Sequence, residues 1–245
     1  MTAITRGGGR RAILYVVDKM VRGGGPVICR QLIDSLEDTP YRPCVVTLFG
    51  KGPIGEDLEA AGVPLLSLGM KGPFRPGQIV RQVPKIAAFA RRHQVALVHA
   101  HLSASGLYGG LVARLLGVPG IFTMHGQWPH SWGWCAVLTC IGKLFDAVVA
   151  VSATTARQMR PRVQLWPRRW LHIYNGIDTA YWRRSGGTGK GSDRIRIAMV
   201  ANYFAEKDHQ TLIAAYRLFR EQYPDSELVL VGEGEGRPAV ERVVA

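Results

Sequence analysis

The chain has 245 residues, 47% of them hydrophobic and 20% charged, with 31 Lys and Arg against 18 Asp and Glu for a net charge of +13. That much apolar material excludes an intrinsically disordered chain and suffices for a sizeable core in one large or two small domains. The positive field favours acidic partners such as phosphorylated ligands or an anionic membrane face, although arginines such as Arg91-Arg92 and Arg183-Arg184 are scattered like ordinary solvated surface.

Cys29, Cys44, Cys135 and Cys140 make no Cys-x-x-Cys pair, and a chain of this length needs no disulfide staples. They read as reduced thiols, which places the chain in the cytoplasm. The apolar run Ala12–Val17 is cut off by Asp18 and Lys19, too short for a secretory signal. The longest apolar stretch, Trp132–Gly142, is too short to span a bilayer.

Residues 1–11 read as a disordered basic tail. Ala12–Val17 follows as a continuous apolar run with β-branched residues, the mark of a strand buried on both faces. The Gly-rich loop Gly23-Gly24-Gly25 leads into a helix from Pro26 to about Leu36. Strand Pro43–Phe49, short helix Gly55–Ala61 and strand Val63–Leu68 come next. Helix Gln78–His93 contains Pro84, and strand Ala96–Ala100 runs into His99-Ala100-His101. Helix Ser103–Leu116 is closed by Gly117 and Pro119. Strand Gly120–Met124 ends at His125-Gly126, and Gln127–Phe145 is irregular and then helical. Strand Asp146–Val151 ends at Ser152, before helix Ala153–Met159. Strand Trp170–Tyr174 ends at Asn175-Gly176, a pair that turns the chain. Ser185–Asp193 reads as a Gly/Ser/Lys linker. Strand Ile195–Ala201, helix Lys207–Tyr223, strand Glu227–Val231 and the start of a helix from Glu235 complete the chain.

Strand alternating with helix predicts an α/β fold with a Rossmann-like, doubly wound parallel sheet. Ligands of such sheets bind outside the carboxyl ends of the strands. Gly23, Gly24, Gly25, His99, His101, His125, Ser152, Asn175 and Gly176 all fall at those ends. Backbone N–H groups of Gly23–Gly25 can approach a phosphate at a helix N-terminus, or the loop can be a flexible turn without a ligand. His99 and His101 share one face of a strand, but they lack the carboxylate or cysteine support of a zinc site, so no metal is expected. His125 can donate to a sugar hydroxyl, or it can be a structural histidine. Lys207, between Glu206 and Asp208, can pair with a diphosphate. Trp128, Trp132 and Trp134 cluster near His130, either as a membrane-facing acceptor region or as a packed helix.

Taken together and in order, Gly23-Gly24-Gly25, Val98-His99-Ala100-His101, Thr123-Met124-His125-Gly126, Val151-Ser152, Tyr174-Asn175-Gly176-Ile177-Asp178, Val200–His209 and Pro224–Gly234 resemble the retaining glycosyltransferases of the GT-B fold, in particular family 4. The resemblance implies transfer of a sugar from a nucleotide-diphosphate donor to a glycan or lipid-linked acceptor, without a bound metal or other cofactor and without nucleic acid. It implies an acceptor-side Rossmann-like domain over 12–182, a linker at 183–193, and over 194–245 the first βαβ portion of a nucleotide-sugar-binding domain. By motif match, His125 would contact the transferred sugar, Gly23–Gly25 the donor phosphates and acceptor, and Lys207 the diphosphate. His99, His101, Ser152, Asn175 and Gly176 would line the acceptor side. Two departures stand out. Asn202 occupies the place of a usual Arg beside the diphosphate, and the family's Glu-x7-Glu motif does not occur, which reads as a truncated second domain with sheet surface left open. The basic field and the tryptophans add an anionic membrane surface as a partner, at the inner face of the cell membrane. The competing reading is a non-catalytic acceptor- or partner-binding domain. A nicotinamide oxidoreductase is disfavoured, since Gly-x-Gly-x-x-Gly and its ribose-binding acid are missing. A nucleotide-sugar epimerase of the same fold stays open.

Overall fold

The computed structural model describes residues 10–72, 76–126, 132–159, 169–183 and 194–244. The expectations for residues 1–9, for Trp128 and His130, for the side chains of Trp132 and Trp134, and for linker positions 184–193 lie outside the described residues. The chain forms two compact units, Met1–Asp178 and Thr179–Ala245.

The first unit is a seven-stranded sheet of β1 (Arg11–Val17), β2 (Tyr41–Thr47), β3 (Leu65–Ser67), β4 (Val95–His101), β5 (Gly120–Met124), β6 (Ala147–Ala150) and β7 (Arg169–His172). Its order is β3-β2-β1-β4-β5-β6-β7, with every pairing parallel. The predicted doubly wound sheet is therefore present. Its helices are α1 (Gly24–Asp34), α2 (Gly52–Ala60), α3 (Pro76–Arg92), α4 (Ser103–Leu116), α5 (Trp132–Lys143) and α6 (Ala153–Met159). Chain order reverses between β1 and β4, which opens a crevice at the carboxyl ends of those two strands.

The strands are built as central strands must be. Alternate side chains of β1 enter different cores: Leu14 and Val16 join Val46, Val98, Tyr108 and Phe122, whereas Tyr15 and Val17 join Cys29, Ile33 and Leu58 on the other face. Helix α4 approaches the sheet closely because its packed face is glycine. A Cβ at Gly109 would lie 2.9 Å from the Ala100 Cβ, and one at Gly106 would lie 2.8 Å from the Phe122 ring. Gly117 closes α4 in the left-handed conformation at φ 65°, which glycine adopts without strain. Pro84 stays inside α3 on its exposed side, where the carbonyl it leaves unpaired can meet water.

Two boundaries move for identifiable reasons. Arg11 belongs to β1, paired with Tyr41, and the Arg10 guanidinium donates to the carbonyls of Leu36 and Glu37 beyond α1, so both residues are ordered. The disorder expected over 1–11 therefore does not hold for these two arginines.

The second unit is a parallel pair, β8 (Arg196–Val200) and β9 (Glu227–Val231), with α7 (His209–Gln222) and α8 (Arg237–Val244). Lys207 does not begin α7 as the sequence predicted. It ends a 3-10 turn, Ala205–Lys207, because Asp208 takes φ 50° and accepts from the Thr211 N–H at 3.3 Å as the N-cap. Tyr203, Ile213 and Val240 form the core with Leu228 and Leu230. On the opposite face the sheet is open, and Val200 is 79% exposed. Glycines lock the strand ends together: a Cβ at Gly232 would lie 1.9 Å from the Ala201 carbonyl oxygen. Among the described residues no helix is long and apolar enough to cross a membrane, and all four cysteines are free.

Candidate active site

The crevice end of the first unit gathers residues from three adjacent strands. Helix α1 starts at Gly24, and its first turn closes with the Val27 N–H donating to the Gly23 carbonyl at 2.9 Å. The Gly24 and Gly25 N–H groups lie at the start of that helix, where they have no intrahelical acceptor and the dipole is positive. A Cβ at Gly23 or Gly24 would meet nothing within 4 Å, whereas one at Gly25 would sit 3.4 Å from the His125 ring and 3.6 Å from Leu102. The imidazole at the end of β5 thus packs in van der Waals range of the start of α1.

His125 is also tied to β4. Its Nε2 lies 2.8 Å from Nδ1 of His101, and the two rings stack with centroids 5.1 Å apart. His101 in turn lies 4.2 Å, centroid to centroid, from His99 on the same strand face. His99 Nε2 lies 2.8 Å from the Thr123 hydroxyl, and the Tyr15 ring flanks both histidines. The predicted sharing of one strand face by His99 and His101 is present, and β5 adds His125 as the third ring.

Burial keeps the three rings neutral. It pushes His99 down to about 3 and His125 down to about 4, and it lowers His101 well below the usual histidine range. Charge on neighbouring histidines adds to the effect for His99 and His101. At neutral pH the cluster offers N–H donors and nitrogen acceptors rather than imidazolium ions.

Two residues here escaped the sequence reading. Asp18, met there only as the end of an apolar run, accepts at Oδ1 from the Ser105 N–H at 2.9 Å and from the Ser105 hydroxyl. It thus caps α4 from the end of β1, while its own carbonyl accepts from Leu48 and Phe49. Burial raises the Asp18 pKa, and the two bonds from Ser105 partly offset that rise. An acid directly after a buried apolar strand was the available signal. Leu102 adopts φ 73° and ψ 171°, a region almost confined to glycine, so the turn from His101 into α4 is held under strain.

The other expected residues lie apart from this cluster. The Ser152 hydroxyl accepts from the Thr155 N–H at 3.0 Å and donates to the Thr155 hydroxyl, so it is engaged as the cap of α6. Asn175 and Gly176 follow β7 in an exposed segment without regular structure. In the second unit, Asn202 and Lys207 share the loop after β8, with Lys207 exposed on its 3-10 turn and His209 stacked on Tyr203 at 4.4 Å. No cluster of three or more His, Cys, Asp or Glu side chains among the described residues could hold a metal ion.

The family model for Glycosyltransferase Family 4 matches residues 22–181, which covers the Gly-rich loop, the histidine strands and the exit from β7. The chain belongs to Glycosyltransferase Family 4. EpsF of Bacillus subtilis (strain 168), a protein assigned as a glycosyltransferase, is 25% identical over 92% of this chain and 62% of its own length. The alpha-maltose-1-phosphate synthase of Mycolicibacterium smegmatis is 29% identical over 61% of this chain and 43% of its own. A glycosyltransferase structure from Rickettsia africae ESF-5 superposes with a TM-score of 0.77 at 18% identity, over 96% of this chain and 64% of that one. Anabaena Alr3699/HepE, solved in complex with UDP and glucose, gives 0.74 at 17% identity, over 95% and 64%. At such identities the two structures speak for the fold alone. The family member described here spans less than two thirds of the length of EpsF and of both structures.

Proposed function

We propose that this family 4 chain transfers a sugar from a nucleotide-diphosphate donor to a glycan or lipid-linked acceptor, with retention of the anomeric configuration. The observation that carries the reading is the seat of His125: a neutral imidazole against Gly25 at the start of α1, beside the reversal point of the sheet. In the reaction the bond from the sugar C1 to the diphosphate oxygen breaks. A bond from C1 to the acceptor hydroxyl oxygen forms, and the proton of that hydroxyl passes to the departing diphosphate oxygen. Charge grows on the leaving diphosphate. The N–H groups of Gly24 and Gly25 at the helix N-terminus of the first unit favour negative charge, and in the second unit Lys207 with Asn202 offers a cation and an amide to a diphosphate. His125 donates to the sugar. Ser152, Asn175 and Gly176 belong to the acceptor side, with His99 and the buried His101 behind His125. Lys207 supplies the positive charge without a metal ion, so turnover is expected to survive EDTA.

The test is incubation of the chain with labelled nucleotide sugars and with glycan and lipid-linked acceptors. Label should pass to an acceptor and should be lost with His125→Ala. Binding of an acceptor without any transfer, across the donors tried, would replace this reading with the non-catalytic one.

A further inference from the structure

The paired histidines pose a problem of proton placement. His101 Nδ1 and His125 Nε2 are 2.8 Å apart, so one donates and the other accepts. The remaining nitrogens, His101 Nε2 and His125 Nδ1, are both buried and have no hydrogen-bond partner. Each neutral ring carries one N–H. If His125 donates, the N–H left over sits on His101 Nε2. If His101 donates, it sits on His125 Nδ1.

The two arrangements differ in where the unmatched donor lies. His101 is 0% exposed, walled by His99 on its own strand and by Tyr15 of β1. The His125 ring as a whole is half-buried, at the end of β5 beside the first turn of α1, with its Nδ1 itself shielded from solvent. A buried N–H without an acceptor is more costly than a bare ring nitrogen, and it is most costly where nothing can reach it. We infer that His101 is a positioning residue, donating from Nδ1 to His125 Nε2 and so holding His125 as the Nδ1–H tautomer, with that N–H left for an acceptor oxygen of a ligand. The shifts that keep both rings neutral fit this arrangement, since a doubly protonated ring would donate from both nitrogens. That the ligand oxygen is a sugar hydroxyl rests on the proposed glycosyl transfer, whereas the tautomer does not.

The experiment is a long-range proton–nitrogen correlation of the histidine rings in the nitrogen-15-labelled 245-residue chain near neutral pH. His125 should show a protonated Nδ1 and a bare Nε2. His101→Leu should release the constraint, so that protonated Nε2 appears at His125. His101→Asn, whose amide can supply a donor near the position of Nδ1, should restore the native pattern. A protonated Nε2 at His125 in the native chain would overturn the inference, as would an unchanged tautomer in folded His101→Leu. Should His101→Leu fail to fold, the native spectrum and His101→Asn decide the matter. Once a turnover assay exists, His101→Leu should lower kcat by about 2- to 12-fold, the loss of one ordinary hydrogen bond, with a smaller change in KM. A native chain without turnover would count against glycosyl transfer and leave the tautomer measurement intact.

Discussion

His99, His101 and His125 are neutral bases in a place that disfavours their charged forms, and stability must depend on pH as a result. Their folded pKa values lie below the unfolded value of about 6.5, so the folded chain binds fewer protons than the unfolded chain in acid. The stabilisation is complete above about pH 6.5 and is lost as pH falls toward the folded values of about 3 for His99 and about 4 for His125. At pH 5 the loss is about 2 kcal/mol for each of His99 and His125, and His101 adds to it in the same direction. Urea midpoints at pH 7 and pH 5 measure it, and equal midpoints would show that the rings are not held neutral. Gly232 is a second decisive position. With the Ala201 oxygen 1.9 Å from where a Cβ would sit, Gly232→Ala forces the end of β9 away from β8. A clear drop in Tm of the variant is expected, and an unchanged Tm would mean that the two strand ends do not meet as described.

At the scale of elements, α4 decides how the crevice is held. Its composition is poor for a helix in water, since Gly106, Gly109 and Gly110 each weaken it by roughly 1 kcal/mol relative to alanine. Packing explains their presence. A Cβ at Gly110 would meet the Leu144 Cβ at 2.6 Å and the Phe145 ring at 3.0 Å. Gly110→Ala should therefore lower stability by about 1–3 kcal/mol from overpacking, less the propensity it gains. Denaturant unfolding gives the sign, and a stabilised variant would refute the close approach of α4 to Leu144 and Phe145 just after α5. The N-terminus of α4 depends on Asp18. Asp18→Ala removes its cap at a cost of about 0.5–2 kcal/mol, whereas Asp18→Asn keeps an acceptor oxygen and should recover most of it. Equal stability of the two variants would show that the carboxyl oxygen does not cap the helix.

For the whole molecule the net charge of +13 predicts association with anionic vesicles at low ionic strength, weakening as salt shortens the Debye length to about 8 Å. Flotation with and without anionic lipid is the measurement, and no binding at low salt would remove the membrane surface from the list of partners. The alternation of strand and helix, the parallel sheet, and the placement of Gly23–Gly25, His99, His101 and His125 at strand ends are all legible along the chain. Apolar runs such as Leu14–Val17 and helix stops such as Gly117 are local signals, readable within a dozen residues. Local patterns also misled, as at Lys207, where the left-handed turn of Asp208 delays the helix that apolar spacing places earlier. The strand order β1-β4-β5 was decided only in three dimensions. That order brings His101 to His125 across 24 residues and Asp18 to Ser105 across 87. Such pairings depend on which strands are neighbours, and composition or spacing along the chain carries no record of it. The open face of β8 and β9 was anticipated from the sequence, but which side chains it exposes, Val200 foremost, follows from the strand faces that α7 and α8 cover. The histidine ends could be read in the chain, and the proton that joins them is set by how deeply the fold encloses one ring and leaves the other nearer the surface.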